Sequence, residues 1–347
     1  MRAVVLQGVR AVGVETVPDA RLSGPRSAVV AVAHAAICGS DMHLYHGDIP
    51  ALGVRLGHES VGTVVEVGAE VERIRVGDRV AVSGVVGCGQ CVPCTTGDPV
   101  LCSASAMTVF GTTPALPGGQ AEALTVPFAD SFALALPEVV TDEQAVLLTD
   151  VLPTGYTAAR RADIAPGSTV AVVGLGPVGI AALQCAALFG PARLLAVDTI
   201  PDRLARAADL GAEPVDATGG TGAAGVLELT GGRGADSVIE AVGLDQTIAD
   251  AVCSAAPGGT VSIVGVSTSM EVPFPMVLAL LRNLTVRATV AAIPRSWPTL
   301  LPLLVSGRLR PDGIVTHRLG LSEAPRAYRM FDERTDGVLK VVLDPSR

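Results

Sequence analysis

Ser168-Thr-Val-Ala-Val-Val-Gly174-Leu-Gly176-Pro177-Val178-Gly179 is an apolar, β-branched run that enters the pattern G-x-G-x-x-G and continues into a helical stretch, Ile180 to Phe189. A second strand, Leu194 to Val197, ends in Asp198, nineteen residues after the last glycine. In that setting the glycines let backbone approach a pyrophosphate at a helix N-terminus, and Asp198 accepts from the adenosine ribose hydroxyls. Its charge would repel a 2′-phosphate, and Thr199 and Ile200 bring no cation beside it, so NAD is expected over NADP. Glycines used only for tight packing are the competing reading.

Strand and helix signals alternate downstream, with strands at Ala235 to Ala241, Gly259 to Val266 and Leu284 to Ala291, and helices at Leu244 to Ala256 and Pro275 to Arg282. Such alternation builds a doubly wound parallel sheet covered on both faces. Gly219-Gly-Thr-Gly222 reads as a loop and not as a second phosphate cradle. Upstream, short β-rich runs at Ala3 to Leu6, Ala28 to Ala33, Val61 to Val67, Arg79 to Val82 and Glu122 to Val126 describe a mostly-β region. Thr141 opens a helix that leads to Asp150. Past Pro294, helices at Trp297 to Val305 and Ser322 to Phe331 and a strand at Val338 to Leu343 return to that first region. The expected class is α/β, with one domain made of residues 1–152 and 293–347 and a dinucleotide-binding domain at 153–292.

A net charge of −9 and 3% aromatic residues argue against nucleic acid and anionic membranes as partners. The segment Gly167 to Ala192 is free of charge, but Pro177, Pro191, Gln184 and interior glycines make it a strand, turn and helix, not a membrane span. The N-terminal apolar run is too short for a signal peptide, so a cytoplasmic setting is expected. Seven cysteines there point to metal or catalysis, not disulfides.

Four of them, Cys88, Cys91, Cys94 and Cys102, fit one tetrahedral, closed and therefore structural zinc site, and the spacing resembles neither ferredoxin pattern. A second constellation holds Cys38 and His58 twenty residues apart, with Glu59 beside the histidine. Alone, the pair favours a buried thiol and a core histidine. Joined to a cysteine lobe and a nucleotide fingerprint, it reads as a thiolate–imidazole metal site with a position open for substrate. Cys185 and Cys253 fall in helices as core residues, and His34, His46 and His317 read as structural or exposed.

With these residues quoted, the chain resembles the zinc-containing medium-chain alcohol dehydrogenases over essentially its whole length, from Cys38-Gly-Ser-Asp41 and Gly57-His58-Glu59 to Leu339-Lys340-Val-Val-Leu. The resemblance implies a GroES-like catalytic domain with an inserted Rossmann domain, the active site in the cleft, an NAD cofactor and two zinc ions per chain. It implies Cys38, His58 and Asp150 as catalytic zinc ligands, with Glu59 coordinating in alternation with water. Asp41 would bind His58, Ser40 and His43 would relay the proton, and Thr154 would line the nicotinamide site. Val266 would meet the carboxamide, Arg203 would join the cofactor contacts and Lys340 would lie near the pyrophosphate. Gly39 stands where some relatives carry a pyrophosphate-binding arginine, and Asp150 replaces a second cysteine, which places the chain near the bacterial secondary-alcohol and polyol branches. The implied reaction moves hydride between a small alcohol, expected to be secondary, and its ketone or aldehyde. The alternatives are a polyol, sugar or threonine dehydrogenase, a zinc-free quinone reductase, against which the cysteines speak, and a non-catalytic NAD sensor. A homodimer or tetramer is implied through the strand Leu284 to Ala291.

Overall fold

A computed structural model describes residues 1–104 and 108–347. The chain divides into two compact units, Met1–Pro153 with Ala292–Arg347, and Thr154–Ala291.

The second unit is a six-stranded sheet whose neighbours run Glu213–Asp216, Arg193–Asp198, Thr169–Val173, Ala235–Glu240, Ala255–Ile263, Thr285–Ala288. Every pairing is parallel. The inner strands are almost wholly buried, as sheets covered by helices on both faces require. Thr169–Val173 stands in the middle, and the order reverses between it and Ala235–Glu240, which opens the crevice where such sheets bind ligands. Several expected bounds shift. The strand anticipated at 259–266 runs Ala255–Ile263, and the edge strand shortens to Thr285–Ala288. Gly222, expected in a loop, instead begins the helix Gly222–Leu229, because the Thr221 hydroxyl accepts from Ala224 N at its start.

The first unit is built on a seven-stranded sheet with Ala28–Ile37 near its centre. On one side lies Lys340–Asp344, with Val341 opposite Ile37; on the other lies Glu59–Val67, with Glu59 opposite Ala36. The end of the central strand, the start of a second and the start of a third therefore meet at one point. That point carries Cys38, His58, Glu59 and Lys340. The apolar core beneath it includes Val4, Ile37, Leu56, Tyr328 and Val341. Helix Ile293–Val305 starts before the expected Trp297 and carries Pro298 and Pro302 inside it. Buried Leu300 and Leu304, and Trp297 Nε1 donating to Leu148 O at 2.9 Å, hold it in place.

Candidate metal centre and cofactor site

Cys38, His58, Glu59 and Asp150 each present one ligand atom within 4.8 Å of all the others. Cys38 follows the central strand, His58 immediately precedes the next and Glu59 opens it, and Asp150 immediately precedes helix Val151–Arg161. Asp150 Oδ2 lies 3.6 Å from Cys38 Sγ and 3.7 Å from His58 Nε2. His58 Nδ1 faces Asp41 Oδ1 at 3.3 Å, which leaves Nε2 for the cluster. Ser40 Oγ sits 3.4 Å from both Cys38 Sγ and His58 Nε2. His43, on the short helix Asp41–His46, pairs with Asp48 at 3.2 Å; its imidazole is not bonded to Ser40.

The donor set fits a cation on three observations. Burial pushes the Cys38 thiol above its ordinary value, so a thiolate there needs a compensating charge. Burial opposes charge on His58, yet Asp41, Cys38 and Asp150 outweigh it and raise its affinity for a positive partner. Glu59 is fully buried, and while one oxygen is bound by Lys340 Nζ, its Oε2 has no hydrogen-bond partner. A buried carboxylate oxygen with no hydrogen-bond partner, on a residue grouped with a thiol, an imidazole and a second carboxylate, fits a zinc ligand set.

Lys340 requires a correction. Its ammonium, expected near the pyrophosphate, is fully enclosed and bound to Glu59. Strand Lys340–Asp344 starts beside Ile37, and the Lys340 side chain meets Glu59 of the metal centre. Burial works against this charge, but Glu59, Cys38 and Asp150 hold it above the ordinary lysine value.

The four lobe cysteines also gather around one point, with Cys88 Sγ–Cys94 Sγ at 4.0 Å and Cys91 Sγ–Cys102 Sγ at 3.8 Å. A tetrahedron with Zn–S bonds of about 2.3 Å has S···S edges of about 3.8 Å. Backbone N–H groups of Cys88 and Cys91 point at Cys102 Sγ and Cys88 Sγ, each at 3.4 Å. Burial pushes the Cys94 thiol up to about 12.

In the second unit, Gly174 has φ +88°, and a Cβ on Gly179 would lie 1.8 Å from Gly174 O. Around Gly176 only Arg203 comes within 4 Å of such an atom, which leaves a backbone cradle at the uncapped N-terminus of helix Pro177–Ala187. Val178 lies in that first turn. Asp198 accepts from Leu175 N at 2.7 Å, Thr199 N at 2.8 Å and Ile200 N at 3.0 Å, with Arg203 Nη1 3.8 Å away. Three acceptor positions used leave a carboxylate room for a hydroxyl. Thr154 lies in the first turn of helix Val151–Arg161, and Val266 is half exposed beyond its strand.

Glu240 was not foreseen. Fully buried at the end of its strand, it accepts through Oε1 from Val242 N, Gly243 N and the Thr247 hydroxyl, and so ties down the loop at the order reversal. Only its place, an acidic residue closing the apolar run Val238-Ile-Glu, could have signalled it.

A dinucleotide-type sheet and a four-ligand metal cluster on one chain are the parts of a metal-assisted dehydrogenase. Residues 24–138 match the alcohol dehydrogenase GroES-like domain and residues 177–306 the zinc-binding dehydrogenase domain. A probable zinc-binding alcohol dehydrogenase of Mycobacterium tuberculosis is 50% identical, with 99% of this chain and 89% of the relative covered. The solved alcohol dehydrogenase TADH from Thermus sp. ATN1 superposes with a TM-score of 0.92 at 42% identity, covering 99% of both chains. A probable D-xylulose reductase A of Emericella nidulans is 32% identical over 98% of this chain and 95% of its own. The chain belongs to the zinc-containing medium-chain alcohol dehydrogenase family, with a GroES-like unit and a Rossmann unit. Among the described residues no helix is long and apolar enough to cross a membrane.

Proposed function

We propose that this enzyme interconverts a secondary alcohol and its ketone with NAD, using one catalytic and one structural zinc ion per chain. The observation that carries the reading is the convergence of Cys38, His58, Glu59 and Asp150, whose ligand atoms lie within 4.8 Å of one another, with Glu59 Oε2 left without a hydrogen-bond partner. Zinc bound by this set supplies a Lewis acid for the substrate oxygen, and NAD supplies the hydride acceptor.

The chain's own residues do the rest. Cys38 and Asp150 carry the negative charges that balance a divalent ion, and Asp41 fixes the His58 tautomer so that Nε2 is free to coordinate. Ser40 Oγ, inside the cluster, is placed to take the hydroxyl proton, and His43, paired with Asp48, is the group assigned to release it to solvent. Gly174, Gly176, Pro177, Val178 and Gly179 receive the pyrophosphate on backbone at the helix start. Asp198 would accept from the adenosine ribose, with Arg203 beside the same loop, and Thr154 and Val266 would line the nicotinamide site. Glu59, held through Oε1 by Lys340, would have Oε2 to offer to the metal.

A polyol or sugar is the competing substrate class, favoured by the similarity to D-xylulose reductase. Metal analysis of freshly purified protein, with NADH formation followed across secondary alcohols and polyols, tests both. Two zinc ions and fastest turnover on a secondary alcohol are expected. A single zinc with no NADH formed on any substrate would sink the proposal.

The chain is also proposed to form dimers through the second unit. Helix Met276–Leu281 buries none of its residues, its last residue Leu281 is 78% exposed, and the open edge strand Thr285–Ala288 follows it. A second copy is the partner that supplies a matching edge.

A further inference from the structure

Buried hydrogen bonds run from the metal cluster into a part of the chain that none of the motifs includes. Asp41, 1% exposed, binds His58 with Oδ1 and uses Oδ2 to accept from Cys38 N at 3.0 Å and Gln120 Nε2 at 3.4 Å. Gln120 Nε2 also donates to Ala36 O at 3.1 Å, and Gln120 Oε1 accepts from the Tyr328 hydroxyl at 2.8 Å. Gln120 and Tyr328 are both 0% exposed.

The chemistry of these atoms fixes the direction of every bond. One end of the Gln120 amide meets two acceptors, so it must be the NH₂; the other end is then the carbonyl, and it needs a donor. Tyr328 is that donor, and burial together with the Asp41 charge holds its phenol well above the ordinary value, so the proton stays on. The space is made for Gln120 alone. A Cβ on Gly57, the residue before the zinc-site histidine, would lie 2.4 Å from Gln120 Cγ. Tyr328 itself is held by helix Ala324–Glu333 and by Tyr45, with ring centroids 5.5 Å apart.

We propose that Tyr328 and Gln120 are positioning residues of the metal centre. The phenol orients the amide, the amide holds Asp41 with the Cys38 N–H, and Asp41 holds the imidazole with Nε2 turned to Cys38 and Asp150. The inference rests on the reading that Cys38, His58, Glu59 and Asp150 hold zinc, and it adds a control from helix Ala324–Glu333, far along the chain.

The test is release of zinc from the full-length holoenzyme into a chromogenic chelator, which resolves the cysteine lobe from the second centre. Tyr328→Phe removes one oxygen and should speed release from the second centre about tenfold, as loss of a hydrogen-bond partner behind a metal ligand does. The cysteine-lobe phase should not change. Gln120→Leu should accelerate the same phase alike, and the double variant should be no faster than either, because both act through one bond chain. With cobalt in the second centre, both single variants should shift its visible absorption bands.

Unchanged release and bands in both single variants would overturn the proposal. So would equal acceleration of both zinc phases, which marks general loosening, or fully additive effects in the double variant. A wild-type enzyme with one zinc per chain would overturn the metal-centre reading and this inference together; two zinc ions with unaffected variants overturn this inference alone.

Discussion

Among the described residues Lys340 is the only cation in salt-bridge contact with Glu59, and both side chains are 0% exposed. Removing one member of a fully buried pair leaves the other charge without water or partner, which costs roughly 3–5 kcal/mol. Lys340→Met should therefore lower the stability of the first unit by that order in chemical denaturation followed through Trp297 fluorescence, while Lys340→Arg should retain most of it. A loss below about 1 kcal/mol would mean that Glu59 is not held by this contact. How legible these residues were follows from distance along the chain. Cys38, His58 and Glu59 lie close together and carry distinctive chemistry, so their pattern could be read. Asp150 entered only through resemblance. Glu59 and Lys340 are brought together by strands pairing on opposite sides of Ala28–Ile37, and no local pattern announces a contact 281 positions apart. The same holds for Gln120 and Tyr328, which are 208 apart.

At the scale of elements, the glycine loop and the strand that ends in Asp198 form one device. Asp198 accepts from Leu175 N inside the loop, so its carboxylate fixes the cradle. Asp198→Ala should weaken NADH binding and relax discrimination against NADPH, by about 1–3 kcal/mol in the difference between the two. Titrating intrinsic fluorescence with each cofactor measures this, and an unchanged ratio of affinities would refute the assigned role. Parallel buried strands were the most legible elements, because continuous apolar β-branched runs have few other uses. The strand Glu213–Asp216 and the helix Asp41–His46 escaped because each is short and mixed in character. Helix Ile293–Val305 was clipped because Pro294, Pro298 and Pro302 argue locally against a helix. Burial of Ile293, Trp297, Leu300 and Leu304 overrides that local argument, and burial is a tertiary fact.

For the whole molecule, division into two units was readable from the change in periodicity near Ser168 and the return after Pro294, since each unit has its own core. The exposed edge at Thr285–Ala288 carries the assembly prediction. Leu281→Asp combined with Val286→Asp should halve the mass found by light scattering, with the folded far-UV signal retained; an unchanged mass would exclude this edge as the interface. The arginine-rich composition has a further consequence. The sequence holds 25 Lys plus Arg, and its one lysine is the enclosed Lys340, so the folded surface offers no side-chain amine. Reagents and conjugating enzymes that attack lysine amines find only the chain's amino terminus while the fold is intact. Acylation at position 340 is thus a reporter of opening of the metal centre, readable as a single mass increment on one peptide.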